Sequence, residues 1–414
     1  SLIAGVLIVG TIPFLFDEIL QGYYFTFASL LSVQILFELG LNAVVVQMIA
    51  HEYGKLSVAN NSLRETKNGN LARLSKILEF FKKWYLIASV LMFFGLLSLG
   101  IFLFNGKEEV EFKLWFYPWL ILSLVTSINL YLNVFSSALE GFGKVNHVAE
   151  KRFWGTLFGI VLFTIMIIIE RNLFVMSAIT ICQIIAILVL IKNDKTLKEI
   201  NSNKLDKIEF SWKKEVFPFQ WRIAVSWMAG YFSLYLFTPV TFNIFGPVEA
   251  GKIGLTFAIF NAVFSISSTW VTSQFPKFGH LISIKETKSL NKNFIISSLK
   301  SQATVSIGIF FGIIIFIFLN NIEHYLMLRL PSFYQFSLIA SVTFINTYIL
   351  SLTTFMRAHK EEPMLNASIV QALLMIFILW NAVYGLNFLL LSYNIINLFI
   401  AIWATIKLKK YYHS

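Results

Sequence analysis

Glu38 stands in an otherwise apolar run, 24–49, with Gln34 four residues before it and Asn42 four after. On a helix that spacing puts all three on one face. A carboxylate in hydrocarbon is costly and commonly marks an ion path or a coupling site, so the stripe is expected to look into a bundle or a cavity. The competing reading is an interhelical hydrogen-bond clamp around a protonated Glu38. Similar faces run along 114–136 as Asn129, Asn133 and the following Ser137, and along 251–275 as Asn261, Ser265, Ser268 and Thr272. A further one runs along 333–356 as Thr343, Asn346 and Thr354. Taken singly, such Ser and Thr usually bond the carbonyl one turn back. Together they describe a hydrophilic interior that suits a sugar, whose hydroxyls need amide and hydroxyl partners more than charge.

Cations gather at the ends of the apolar runs: Arg222, Lys151, Arg152, Lys300 and Arg357. An Arg fork fits phosphate oxygens bidentately, so these could receive a pyrophosphate, although a snorkelling anchor is the commoner use. Arg222 is the strongest candidate because Gln220-Trp221-Arg222 follows Pro218 and lies deepest in apolar sequence. Signatures of other chemistry are absent. GxxxxGK[ST], GxSxG, HExxH and CxxC do not occur, and Gly141-Phe142-Gly143 lacks the strand and helix start of a phosphate loop. The six His are dispersed, and Cys182 is the single cysteine, which excludes an intrachain disulfide or a thiolate cluster. No cofactor, metal or enzymatic activity is expected.

The elements that must position these residues follow from composition. Of 414 residues 57% are hydrophobic and 13% charged, outside the soluble range. Twelve apolar runs are read as spans: 2–16, 24–49, 84–104, 114–136, 153–169, 173–191, 223–245, 251–275, 303–319, 333–356, 364–384 and 388–406. The first, about 15 residues, is short of a full crossing and is read as truncated. Of the 33 Lys and Arg, all but Lys107, Lys113, Arg171, Lys252 and Arg329 fall after even-numbered spans, which puts those segments and both termini in the cytoplasm. The outward segments are too short for a catalytic domain. On the inner side Leu71, Leu74, Leu78 and Phe81 beside Arg73, Lys76, Lys82 and Lys83 read as an interfacial amphipathic helix, with a weaker counterpart at Leu290, Phe294 and Leu299.

An offset of 226–230 residues aligns Pro13 with Pro239, Thr26-Phe27-Ala28 with Thr256-Phe257-Ala258, and His51 with His280. The expected architecture is therefore an all-α polytopic membrane protein of about 12 transmembrane helices in two pseudo-symmetric six-helix lobes, 1–191 and 217–414, joined by a cytoplasmic linker, 192–216. Six spans per lobe give both lobes the same orientation, as in transporters built from parallel repeats. Pro13 and Pro239 are candidate hinges in equivalent helices, since an internal proline removes a backbone hydrogen bond.

The text Gln21-Gly-Tyr-Tyr-Phe-Thr-Phe-Ala28, then Phe37-Glu-Leu-Gly-Leu41, Gln47 to Glu52, and Leu139-Glu-Gly-Phe-Gly143 resembles the polysaccharide flippases of the multidrug/oligosaccharidyl-lipid/polysaccharide exporter superfamily. In that family a Gly-Tyr segment opens span two and a turn falls inside it. The resemblance implies alternating access by two six-helix lobes. It also implies transport of polyprenyl-pyrophosphate-linked repeat units of O-antigen or capsule across a bacterial inner membrane. The implied partners are that lipid-linked oligosaccharide, the bilayer, and glycan polymerase and chain-length machinery, with no nucleic acid. Few basic residues lie deep in the spans, so pyrophosphate recognition is expected near the cytoplasmic rim. A cation-coupled multidrug exporter of the same superfamily is the alternative, and a membrane glycan polymerase or ligase ranks last.

Overall fold

A computed structural model describes residues 2–38, 40–59, 64–107, 109–202, 212, 217, 221, 224, 225, 228, 231, 235–359 and 364–412. The fold is all-α. In chain order the helices are α1 (Leu2–Leu15), α2 (Glu18–Leu31), α3 (Gln34–Glu38), α4 (Leu41–Ala59), α5 (Arg64–Phe104), α6 (Phe112–Gly141), α7 (Val145–Ile169), α8 (Met176–Asn193) and α9 (Lys195–Ser202). After the linker come α10 (Phe237–Thr272), α11 (Phe275–Ser283), α12 (Thr287–Asn321), α13 (Phe333–Arg357), α14 (Leu365–Trp380) and α15 (Leu386–Tyr412). Helices are what a membrane permits, because each backbone N–H must be bonded within its own segment. Among the described residues nine segments are long and apolar enough to cross a membrane, and α14 is a shorter apolar helix.

The chain divides into two compact units, one of residues 30–231 and one of 1–29 with 232–414. This division differs from the expected 1–191 and 217–414 in where it places residues 1–29 and the stretch 192–231. In the unit of 30–231, Trp115 and Trp119 of α6 are buried, and the Trp119 indole donates to the Leu96 carbonyl of α5 at 3.0 Å. In the other unit an aromatic core runs through Phe260, Phe316 and Phe336, with ring centroids 4.8 to 5.0 Å apart, and through Phe294 and Phe355.

Span two carries the turn that the family-like text implies: the chain leaves helical geometry at Gly40, whose φ of 72° is the left-handed conformation glycine adopts freely, and also at residues 32–33. Three expectations need correction. The 71–81 segment is not a separate interfacial helix. It belongs to the 41-residue α5, and Leu71, Leu74, Leu78 and Phe81 are buried within the protein. The 290–299 counterpart is likewise the start of α12, with Leu290 and Phe294 buried and Leu299 exposed. Pro239 lies in the first turn of α10, after a bend at 235–236, where its missing N–H costs no helical bond. Pro13 is inside α1, near its end.

The Leu139-to-Gly143 motif is a helix stop. Lys144 N–H donates to the Leu139 carbonyl and Gly143 N–H to that of Glu140, with Gly143 at φ 79°, so orphan carbonyls at the end of α6 are satisfied. The turn aims Glu140 at Arg152, 2.8 Å away, and Lys144 at Asp194. Burial alone would raise the Asp194 carboxyl, but the bonds from Lys144 and from the Leu197 N–H outweigh it and hold it below the usual carboxylate range.

In the unit of 1–29 and 232–414, α2 and α10 cross at close range. A Cβ on Gly22 would lie 1.9 Å from the Pro247 carbonyl oxygen, and one on Gly251 would lie 2.9 Å from the Gly22 nitrogen. The buried Gln21 amide donates to the Gly251 carbonyl at 3.0 Å, across 230 residues, which is the offset that aligns Thr26 with Thr256. The aligned segments thus touch at matching positions, and Thr26 and Thr256 are both fully buried.

Two outcomes are expected. Gly22→Ala forces backbone apart and should cost at least about 1–3 kcal/mol, read as a lower unfolding midpoint in detergent, whereas Gly10→Ala, with nothing within 4 Å, should leave the midpoint unchanged. Because the Asp194 carboxyl is depressed on folding, its contribution is present above the unfolded carboxylate range and is lost as pH falls through the folded value. Unfolding midpoints measured from neutral to strongly acidic pH should therefore fall less for Asp194→Asn than for wild type.

Candidate functional site

The site is built on α3, a helix of five residues between the break at 32–33 and Gly40. Bonds from Ile35 to Ser32 and from Leu36 to Val33 tighten its entry, and Ala43 bonds back to Gly40 at its exit. A break of this kind at membrane depth is tolerated only where protein or water satisfies the freed groups. Glu38 closes α3, and three amides converge on its carboxylate. Gln34 Nε2 and Asn133 Nδ2 donate to Oε1, the latter at 3.3 Å, and Asn42 Nδ2 donates to Oε2 at 3.2 Å. Asn42 in turn accepts from the Tyr85 hydroxyl at 2.5 Å and from Ser137 at 3.2 Å. Three donors matched to an acceptor-only carboxylate, with a second rank holding one of them, make a network spanning α3, α4, α5 and α6.

Four of the residues read from sequence, Gln34, Glu38, Asn42 and Asn133, therefore come together. Asn129 lies one turn from Asn133 on α6, and its Oδ1 is buried without a partner, as are the hydroxyls of Ser123, Thr126, Ser127 and Ser136. α6 thus carries buried amide and hydroxyl atoms from Ser123 to Ser136. The other site residues belong elsewhere. Asn261 is exposed on α10, where Ser265 and Thr272 are exposed with it. Asn346 and Asn397 lie beside the Tyr393 hydroxyl, and Asn397 Nδ2 donates to the Tyr393 carbonyl at 2.8 Å. Asn397 is fully buried and accepts from Gln371 at 3.1 Å, giving the unit of 1–29 and 232–414 a polar cluster of its own on α13, α14 and α15. Arg222 lies outside the described residues.

Tyr85, Gln371 and Asn397 are absent from the residues picked on sequence. The two amides carry the same signal as Asn133, a carboxamide in an apolar run. Tyr85 carries none, since a tyrosine near the end of a span reads as an interfacial anchor. The boundary cations are largely engaged by their own protein: Arg152 by Glu140, and Lys300 over the Trp270 ring at 5.1 Å.

No protein-family model matches the chain, and no curated protein matches it. Solved structures do. An inward-facing multidrug resistance MATE family transporter of the MOP superfamily superposes with a TM-score of 0.59 at 14% identity, over 99% of this chain and 98% of that one. An outward-facing structure of such a transporter gives 0.52 at 14% identity, over 98% and 91%. A MOP superfamily transporter from Pyrococcus furiosus, described by a reversed polarity of its binding pocket, gives 0.50 at 13% identity, over 98% and 90%. At such identities the likeness establishes the fold, the two-lobe, twelve-helix architecture of these transporters.

Tyr85→Phe removes one of the two donors to Asn42 and should cost about 0.5–1.5 kcal/mol in unfolding measurements. Glu38→Leu, which strands three amides, should cost clearly more. Equal costs would show that the network does not bear on stability.

Proposed function

We propose that this protein is a membrane transporter that works by alternating access and carries polyprenyl-pyrophosphate-linked oligosaccharide repeat units, of the O-antigen or capsule kind, from the cytoplasmic to the outer leaflet of a bacterial inner membrane. The observation that carries the transport reading is the Glu38 network at a break in a membrane span. A carboxylate bonded within α3 and to α4 and α6, at a point where the helix is already interrupted, is a joint whose hydrogen bonds can be exchanged as the helix moves. The fold is shared with transporters described in inward-facing and outward-facing conformations, which fits a protein with two states.

The saccharide reading rests on the uncharged polar face of α10, where Asn261, Ser265 and Thr272 are exposed, and on the flippase-like text at 21–28, 37–41 and 139–143. Exposed amides and hydroxyls on a membrane helix are costly against lipid and useful against sugar. Arg222 is the residue we assign to the pyrophosphate. Glycan polymerase and chain-length machinery are the expected neighbours, and both termini are assigned to the cytoplasm. The second reading is a cation-coupled multidrug exporter, which the descriptions of the matching structures favour. The reversed pocket polarity described for the Pyrococcus furiosus transporter indicates that the fold does not dictate the cargo.

Deleting the gene should leave the lipid-linked repeat on the cytoplasmic leaflet. Accumulation on the outer leaflet would point to a polymerase or ligase, and loss of organic-cation export with normal glycan would favour the drug exporter. Glu38→Gln places a donor against donors and should reduce export at least about tenfold at equal membrane abundance, following the usual cost of stranding a buried polar group. Wild-type export in that variant would remove Glu38 from the mechanism.

A further inference from the structure

A second feature lies outside the polar network, in the unit formed by residues 1–29 and 232–414. Between α1, α10, α12, α13 and the short turn Tyr325–Arg329 there is a cavity of about 210 Å³. Pro13, Leu255, Gly312, Phe316 and Phe336 are among its walls, and every lining residue except Arg329 is apolar. A slot of that character offers water no partners and stays dry unless an apolar group fills it. Its rim includes Phe14 of α1 and Ile315 of α12, 53% and 55% exposed, and α12 is long and apolar enough to cross a membrane, so the way in is from the hydrocarbon.

Arg329 is the exception in the wall. It closes the turn between α12 and α13, and its carbonyl is already held by the Gln21 amide at 3.4 Å. Its guanidinium is not so provided for: Nη1 is buried and finds no acceptor. A buried guanidinium nitrogen without a partner is expensive, and the acceptor that suits it best is a planar or tetrahedral oxyanion. The depth fits a headgroup. Tyr325, Phe333 and Tyr334 are about half exposed on this same end of the unit, the level at which aromatic side chains mark the boundary between hydrocarbon and headgroups, and the Phe14 and Tyr325 rings meet edge to face at 5.9 Å.

The geometry points to a site for one anionic phospholipid, with an acyl chain in the slot beside Gly312 and Phe316 and its phosphate on Arg329. Under the positive-inside reading of the basic residues this lipid comes from the outer leaflet. The site is independent of the transported cargo. Its role is to complete a packing defect and a charge that the chain leaves open, so the folded unit would carry the lipid as a fixed component.

Gly312 supplies a clean test, because a Cβ there would meet Phe260 and Phe336 at 3.8 Å, an ordinary contact. Gly312→Leu therefore extends into the slot without pushing on backbone. The full-length protein, delipidated in mild detergent, is titrated with dioleoyl-phosphatidylglycerol and read by native mass spectrometry, beside Gly312→Leu, Arg329→Gln and Arg329→Lys, with unfolding midpoints reporting folding. Wild type should retain one lipid. Gly312→Leu and Arg329→Gln should each retain it at least about tenfold more weakly, while Arg329→Lys recovers part of the loss. Dioleoylglycerol, which has the chains and no phosphate, should bind no better to wild type than to Arg329→Gln, and glycerol phosphate should not compete. Undiminished retention in both Gly312→Leu and Arg329→Gln would overturn the site. Equal binding of dioleoylglycerol would overturn the phosphate contact. Displacement of the phospholipid by a polyprenyl phosphate, with loss of export in Gly312→Leu, would assign the slot to the cargo instead and also overturn the proposal.

Discussion

Inside a bilayer a polar group has no water to fall back on, and the whole arrangement of residues 30–231 can be followed from that constraint. Glu38 is a carboxylate at membrane depth, so donors have to be brought to it. Two come from its own segment, Gln34 and Asn42, and one from α6, Asn133. Asn42, with its amide nitrogen committed to Glu38, needs its oxygen covered, and Tyr85 of α5 and Ser137 of α6 cover it. Three membrane segments are thereby fixed to one another around a single side chain. The interruptions at 32–33 and Gly40 bracket that side chain, so the weakest stretch of the helix and its strongest polar tether coincide.

That coincidence gives the transport reading its physical content. An unbroken helix moves as a rod, whereas one interrupted at two points can change direction there if its polar groups have alternative partners. The buried hydroxyls along α6, from Ser123 to Ser136, are such a supply of partners.

Much of this site is legible in the linear text, and the reason is periodicity. Residues at i−4 and i+4 from Glu38 share its face on any helix, and Asn133 lies on the polar stripe of its own span. Hydropathy alone does not find the break, because Gly40 in an apolar run looks like the small residues that membrane helices use for packing. The family-like Phe37-Glu-Leu-Gly-Leu41 text implies a turn there, and the structure has one at Gly40. Tyr85 is invisible in the sequence because its partner, Asn42, is 43 residues away and nothing local links them. The amphipathic pattern of 71–81 does mark a covered face, but protein covers it where the sequence suggests lipid: periodicity reports that a face is covered and not by what. The crossing of α2 and α10 follows the same logic, since Gly22 and Gly251 acquire meaning only when they meet.

The Glu38 network holds the interrupted segment in place. Hydrogen–deuterium exchange of the backbone amides tests it most directly, comparing wild type with Glu38→Gln in the same detergent. Faster exchange is expected at residues 34–38, 41–43 and 129–137 in the variant, with α12 unchanged. Identical protection in those segments, in a variant where a donor replaces one of the two acceptor oxygens, would contradict it.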